Sequence, residues 1–471
     1  MIFVCLILTF LSSTLNALTL DRAITLAQQN SYEIKEQMHL LRMAELDSDS
    51  VEQVYDSMIY GETSGSLEKR DEQSSSYPMP WADRRYSIGF KKLLGWGISA
   101  EGNVIVEKIG EPMSLSPATP TTHTAISQFS LAMDLWKGSL SRDVGLQKKI
   151  KAIEIAKARS RVHLVSQKVA FQTENLYWQL GLLNEQLKIA AKLLETTRQY
   201  AAAVANRVVF GRADEVAVAD AESEVVSQET YLMGLQVGYE QIARELSYRI
   251  YGKYHEFDTK SVRLEEALTL SLPTKSQWHA VEIAYRGRYD FKMIEKEKEG
   301  VRLQMKLARE QLEPSLSLFA TLARPGEGNR FQTALDDSSW RSRVGLKFEI
   351  NLGHRKLKSE VKIAASHLQK LETIALRKRQ DIAASLEISY IDWHGVNRQL
   401  SQKADQMIKL RHKEEVEGRK MSQARSDQAV VLSYQRQVLR ANLEKLAILK
   451  KKYDIVARMR YTLHGYPVRF Q

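Results

Sequence analysis

Cysteine, proline and long apolar runs are all scarce in this chain of 471 residues. Its one cysteine, Cys5, sits in the opening apolar segment, so a chain that sheds that segment carries no thiol. A disulfide framework, a cysteine zinc cluster and a cysteine nucleophile are thereby excluded from the mature protein. Nine prolines occur, at 78, 80, 112, 117, 120, 273, 314, 325 and 467. None falls within 121–272 or 326–466, stretches of 152 and 141 residues, so the backbone can run on in very long helices. Beyond the opening, no segment is long and apolar enough to cross a bilayer as a helix. With 44% hydrophobic and 27% charged residues and a mean hydropathy of -0.35, the chain is neither a polytopic helical membrane protein nor disordered.

The net charge of +11 is the small remainder of 68 Lys and Arg against 57 Asp and Glu. Bases and acids intermix along helical stretches, as in Glu295 to Lys298, which fits a solvated helix surface rather than the basic, aromatic-lined face of a nucleic-acid binder. Residues 2–11 (IFVCLILTFL) are followed by Ser12, Ser13 and Thr14. An apolar core of about 10 residues is half a membrane span and suits a secretory signal. Residues 1–17 are therefore expected to be a signal peptide, with the mature chain starting near Leu18 and no cysteine placed to carry a lipid.

The rest is a tandem duplication. AITLAQQNSYEIK (23–35) aligns without gaps on AVEIAYRGRYDFK (280–292), an offset of 257, with Ala23/Ala280, Ala27/Ala284, Tyr32/Tyr289 and Lys35/Lys292 identical. GRADEVAVADAESEV (211–225) aligns on ARSDQAVVLSYQRQV (424–438), an offset of 213. Since 257 minus 213 is 44, the first half carries 44 extra residues between its matched blocks. They are assigned to the Pro-, Ser- and Gly-rich stretch at about 69–123, as a loop or an added hairpin. The repeats are taken as 18–270 and 271–471.

Inside each half the period changes. Leu176, Leu180, Leu183, Leu187, Ala190 and Leu194 recur at 4, 3, 4, 3 and 4, a heptad seam for helix packing. This predicts a helix over 142–208, a turn at Gly211, and a return helix capped by Asp214; half two repeats it over 355–422 with a turn at 424–426. Ahead of each long helix the period falls to 2: Phe129, Leu131, Met133 and Leu135 alternate with Ser130, Ala132 and Asp134, and Val344, Leu346, Phe348 and Ile350 with Arg343, Gly345, Lys347 and Glu349. Partners over 58–69 and 315–323 complete one hairpin per half, four strands in all. Strands of this length, with Tyr60, Trp136, Phe319 and Trp340 near their ends as interface aromatics, suit a membrane barrel; a small soluble sheet packed on helices fits the periodicity equally well. In a bilayer, four strands do not close on themselves, so a barrel would be shared among two, three or four chains.

The blocks LTLDRAITLAQQNSYEIK, FGRADEVAVADAESEV and YEQIAREL, echoed as AVEIAYRGRYDFK, ARSDQAVVLSYQRQV and YDIVARMR, resemble those of the TolC-like outer-membrane efflux proteins, the outer membrane factor family. The resemblance covers nearly the whole mature chain. It implies a mainly α fold with β: duplicated helix-hairpin-helix halves forming a homotrimer, with a 12-stranded barrel in the outer membrane of a Gram-negative bacterium and a helical tunnel across the periplasm. It also implies a passive duct for small molecules or secreted proteins, needing no cofactor and working with a periplasmic adaptor and an inner-membrane transporter. The adaptor-docking tips fall on Gly211, Arg212 and Ala213 and on Ala424, Arg425 and Ser426, where Ala424 replaces the expected glycine. The family's acidic constriction falls on Val430 and Ser433, which are not acidic, so Asp214, Asp220 and Asp427 stand in as gate candidates, with helix capping as the plainer role for each.

Two other function classes fit the sequence less well. Catalysis requires a convergent set of acids, bases or metal ligands, and the ten histidines are scattered without a metal-binding spacing. An exported coiled-coil scaffold accounts for the heptads and the charge, but not for an alternating hairpin between long helices in both halves.

Overall fold

The computed structural model describes residues 18–70, 79–112, 122–211, 214–254, 272, 277–328, 330–335, 339–350 and 352–467; the expected signal peptide and the 270/271 repeat boundary lie outside them. In chain order the elements are α1 (Leu20–Asn30), α2 (Tyr32–Asp49), β1 (Met58–Arg70), β2 (Met79–Leu94), β3 (Ile98–Pro112), β4 (Thr122–Asp134), α3 (Arg142–Val209) and α4 (Glu215–Tyr251). They continue with α5 (Gln277–Gly287), α6 (Tyr289–Glu310), β5 (Ser315–Gly328), α7 (Phe331–Leu335), β6 (Arg341–Glu349), α8 (Arg355–Ser422) and α9 (Gln428–Thr462). Among the described residues no helix is long and apolar enough to cross a membrane.

The duplication read from two short alignments governs the elements outside β2, β3 and α7. Adding 257 to the first residues of α1, α2 and β1 gives the first residues of α5, α6 and β5; adding 213 to both ends of α3 gives both ends of α8, each 68 residues long. The same 213 carries the start of α4 to the start of α9. The repeated alanines explain why the sequence was held: Ala23, Ala27, Ala280 and Ala284 are all fully buried, where any larger side chain would push helices apart. The repeated Tyr-Lys pairs likewise stack ammonium over ring, Lys35 on Tyr32 at 5.3 Å and Lys292 on Tyr289 at 4.6 Å.

The chain divides into two compact units, one of residues 1–40, 159–293 and 374–471, the other of 41–158 and 294–373. The first is helical. Its core gathers Tyr177, Trp178, Leu180, Leu246, Ile250 and Tyr453, with the Trp178 and Tyr453 rings stacked at 5.0 Å. A second cluster joins Ala280, Ala284, Phe291, Leu386 and Met459. Of the heptad seam, Leu176, Leu180, Ala190 and Leu194 are buried and Leu183 and Leu187 half-buried. The buried Glu174 carboxylate is satisfied: it accepts from Arg460 at 2.7 Å, from the Trp178 indole at 3.2 Å and from the Tyr466 hydroxyl. Desolvation, then that carboxylate, pushes the Tyr466 phenol far up from its ordinary value.

The second unit holds one antiparallel sheet in the order β1-β2-β3-β4-β5-β6. Here the expectation of four strands is corrected: the sheet has six. The 44-residue excess is an added hairpin, β2–β3, turning at Gly95–Gly97 and lodged between the two strands that flank it in sequence. Its own alternation, Tyr86, Ile88 and Phe90 against Val104 and Val106, makes it a strand pair. Pro80 and Pro112 lie at the strand ends, where a missing N–H interrupts little of the ladder.

Candidate functional site

Two regions bear on function, the faces of the sheet and the two helical tips. The register sorts the strands' side chains cleanly. Ile59 pairs with Phe90, Phe90 with Gly102, Gly102 with Phe129 and Phe129 with Leu322, one continuous row across five strands. Residues two apart share that face, which brings in Ile88, Leu131, Leu318, Val344, Leu346 and Phe348. These large apolar groups are exposed, Ile59 by 78%, Val344 by 74% and Ile88 by 61%. A groove of about 740 Å³ crosses this face between Ile59 and Leu322. The opposite face carries Glu62, Ser64, Arg85, Ser87, Glu101, Asn103, Gln128, Ser130, Thr321 and Lys347, with Arg85 paired to Glu107 at 3.3 Å and Ser130 against Thr321 at 3.3 Å.

That partition bears directly on the interface aromatics. Tyr60 and Phe319 stand on the polar face, not among the exposed apolar side chains, because the register sets each opposite a glycine. A Cβ on Gly89 would meet the Tyr60 ring at 2.6 Å, and one on Gly345 would meet Phe319 at 2.7 Å. The Tyr60 hydroxyl then donates to Glu101 at 2.7 Å. Both rings are register locks. Trp136 and Trp340 are exposed by 48% and 63% at opposite strand ends. Sequence reading missed a third, Trp96, 77% exposed and held at φ 69° between Gly95 and Gly97, at the same sheet end as Trp136. Its signal was the aromatic between two glycines after an alternating run.

At the tips the two halves share a backbone and differ in chemistry. Gly211 and Ala424, equivalent by the 213 offset, both take positive φ, 66° and 58°. Glycine adopts this freely; alanine pays for it with Cβ crowding. In the first tip the Gly211 N–H donates to the Val208 carbonyl at 2.9 Å, and Val209 and Phe210 are 80% and 76% exposed. Arg212 and Ala213 lie outside the described residues. Asp214 accepts from the Ala217 N–H at 3.0 Å as the N-cap of α4. In the second tip the Arg425 N–H donates to the Lys420 carbonyl at 2.8 Å, and the Ser426 hydroxyl donates to Glu417 at 2.8 Å. Lys420 pairs with Glu417 at 2.7 Å, and these two hydrogen bonds, Lys420 first, hold the Glu417 carboxyl below its ordinary pKa.

Asp427 caps α9 through the Ala429 N–H at 2.9 Å and pairs with Arg207 of α3 at 3.4 Å, so the second tip is tied to the end of the first long helix. Behind the tips, Ala203, Val204, Ala221, Ala429 and Leu432 form a small core, and the Arg436 guanidinium lies 4.3 Å over the Tyr200 ring beside Glu224. Of the three gate candidates, Asp214 and Asp427 are thus engaged in caps, while Asp220 is exposed on α4. The Ser433 hydroxyl donates to the Val430 carbonyl at 2.8 Å, turned onto its own helix. Among the described residues, no group of three or more His, Cys, Asp or Glu is placed to hold a metal ion.

No family model and no curated protein sequence matches the chain. Solved structures do. The outer membrane protein VceC of Vibrio cholerae is 12% identical with a TM-score of 0.65, the match covering 94% of this chain and 95% of that one. The CmeC outer membrane channel of Campylobacter jejuni is 14% identical at a TM-score of 0.66, over 95% and 85%. The MtrE outer membrane channel of Neisseria gonorrhoeae, in its open state, is 12% identical at 0.66, over 96% and 90%. The chain has the fold of these outer-membrane channels along nearly its full length.

Proposed function

We propose that this chain, sharing the fold of outer-membrane channels, is one subunit of a passive exit duct in the outer membrane of a Gram-negative bacterium. The observation that carries the proposal is the sheet: one face exposes Ile59, Ile88, Phe90, Phe129, Leu322 and Val344 together, and both edge strands, β1 and β6, lack a further strand partner among the described residues. In water such a face would be an aggregation hazard and such edges open templates. In lipid the face is solvated by acyl chains, and each edge must pair with a neighbour's opposite edge, since hydrocarbon offers no hydrogen bonds. Copies of the chain therefore close the barrel; three is the number the family resemblance gives. The polar face then lines the bore.

The tips are where a periplasmic adaptor, and through it an inner-membrane transporter, would engage. Val209 and Phe210 offer the apolar contact there, around the turn that Gly211 makes possible. Asp220, with the capping Asp214 and Asp427, supplies carboxylates near this end that would favour cationic over anionic solutes. The duct moves cargo, small molecules or secreted protein, without chemistry of its own. A soluble exported scaffold is the rival reading, and it leaves the exposed apolar face unexplained. Carbonate washing of membranes separates them: the duct stays in the membrane pellet and runs as a heat-sensitive oligomer on gels, whereas extraction into the wash as a stable monomer would overturn the proposal.

A further inference from the structure

Among the described residues the β2–β3 hairpin has no counterpart in the second half, and its placement gives it a specific role. By the 257 offset β1 corresponds to β5, and by the 213 offset β4 corresponds to β6. In the second half these two strands are direct neighbours, β5 against β6, with Ala320 opposite Val344. In the first half their equivalents, Thr63 and Leu131, are parted by two intervening strands: Thr63 lies opposite Tyr86, and Leu131 opposite Ala100. Three strand spacings part them by roughly 14 Å across the sheet, and Leu131 also lies six residues along β4 from Ala125, the residue in the row of Thr63, roughly 20 Å further on. A hairpin is the one insertion that can enter an antiparallel sheet without reversing anything, because it adds an up strand and a down strand together. Thr63 and Leu131 stay on the apolar face, and β1 and β4 stay antiparallel, with the hairpin or without it. Tyr60 over Gly89 and Phe90 over Gly102 lock it to β1 and close it on itself.

We infer that β2–β3 is a module inserted into the wall of the duct that sets its circumference, giving six strands per chain and a three-chain barrel of eighteen strands, open to bulkier cargo than a twelve-stranded one. The inference rests on the duct reading above. Barrel diameter grows in proportion to strand number; at a spacing of about 4.8 Å and a tilt of about 40°, twelve strands enclose a ring roughly 24 Å across and eighteen roughly 36 Å. Cross-section rises about 2.2-fold by the same scaling. Barrels of 16 to 18 strands leave an aqueous channel after side chains are counted, so the outer segment of this duct would not restrict a bulky hydrophilic solute or an unfolded polypeptide.

Engineered disulfides test the wall directly, since the only native cysteine, Cys5, lies in the opening segment. In the full chain, Gly61→Cys with Ile88→Cys, and Val104→Cys with Ser127→Cys, should each cross-link within the assembled oligomer, and Thr63→Cys with Leu131→Cys should not. Deleting residues 79–112 should reverse the last result, because β1 then falls against β4 in the register of β5 and β6. A second readout is the bore itself. Ser130→Cys on the polar face, labelled from outside with maleimide polymers of graded size, should show a cut-off diameter about 1.5-fold larger in the full chain than in the deletion. Cross-linking of the 63–131 pair in the full chain would overturn the inference whether or not the deletion variant assembles, and so would equal cut-offs. Absence of any membrane-embedded oligomer would instead count against the duct reading.

Discussion

The packing of Tyr60 over Gly89 allows a measured test of whether the sheet's register is held as described. In Gly89→Val, the new Cβ lies 2.6 Å from the Tyr60 ring and 2.9 Å from the Asn103 Cβ. Tyr60 must swing away, and it loses the 2.7 Å hydrogen bond to Glu101. Overpacking costs about 1–3 kcal/mol and a hydrogen bond to a charged group about 1.5–3, so a half-buried site should lose roughly 2–4 kcal/mol in all. Gly61→Val is the matched control. It sits on the apolar face of the neighbouring strand with only the Ser87 carbonyl within reach, at 3.7 Å, and β-branched residues suit strands. The assay is the temperature at which the oligomer dissociates on a gel: Gly89→Val should dissociate well below wild type and Gly61→Val near it. Adding Tyr60→Ala to Gly89→Val should return about 1–2 kcal/mol of the loss as a coupling energy. If the double variant is no better than the sum of the two single ones, the ring does not pack on that glycine and the register argument fails.

Three further outcomes follow from the helical unit. Glu174 is 1% exposed and holds Arg460, Trp178 and the Tyr466 hydroxyl, so Glu174→Ala should destabilise that unit by about 2–4 kcal/mol, read as a lower melting midpoint, with Glu174→Gln losing less. His464, stacked near Tyr289, has its pKa lowered to about 4 by desolvation and then by Arg288, with Lys292 and Lys378 adding to the effect and Asp290 opposing it. A neutral buried imidazole favours the fold less as the unfolded chain takes up a proton, so stability should fall as pH drops from about 6.5 towards 4, by on the order of 1–3 kcal/mol, and His464→Gln should flatten that slope. Below that window Asp290 takes over: burial opposes its charge, but Arg288 at 2.8 Å and Lys378 at 3.0 Å hold its carboxyl far below the ordinary range, so its contribution is lost only in stronger acid. At the second tip, Ala424→Gly should stabilise by about 1 kcal/mol by removing the Cβ from a φ of 58°, measurable as a raised midpoint with unchanged oligomer yield.

The long helices were legible because their signals are local and redundant. Two proline-free stretches, a heptad seam and matched Asp caps all pointed the same way, and the starts of α3 and α8 fell on Arg142 and Arg355. The sheet was legible only in part. Alternation identified β4, β5 and β6, whose apolar and polar residues separate cleanly, but the hairpin β2–β3 was left open because prolines and serines crowd its flanks while its own alternating core is short. Facing was harder still. Tyr60 and Phe319 look like belt aromatics by type and position, and what turns them to the polar side is a glycine on the adjacent strand, a long-range fact that alternation along one strand does not contain. At the tips the caps and the turns were legible, but not the positive φ that Ala424 shares with Gly211, nor the Arg207 to Asp427 link, whose partners are 220 residues apart.

The places where the two halves differ are therefore the informative ones. Across the paired helices the offsets of 257 and 213 hold at every start, with the same buried alanines, so neither half has freedom to change there without losing packing. The differences are confined to positions that packing does not constrain. One is the sheet, where a hairpin can enter between two strands because an up and down pair leaves its neighbours' directions unchanged. The other is the tips, where one turn presents Val209 and Phe210 around an unstrained glycine while its twin, on a strained alanine, is closed by Ser426, Glu417 and Lys420 and tied to Arg207. The first tip is apolar and exposed and the second polar and fastened, so either set of residues can change while the fold that carries them stays fixed.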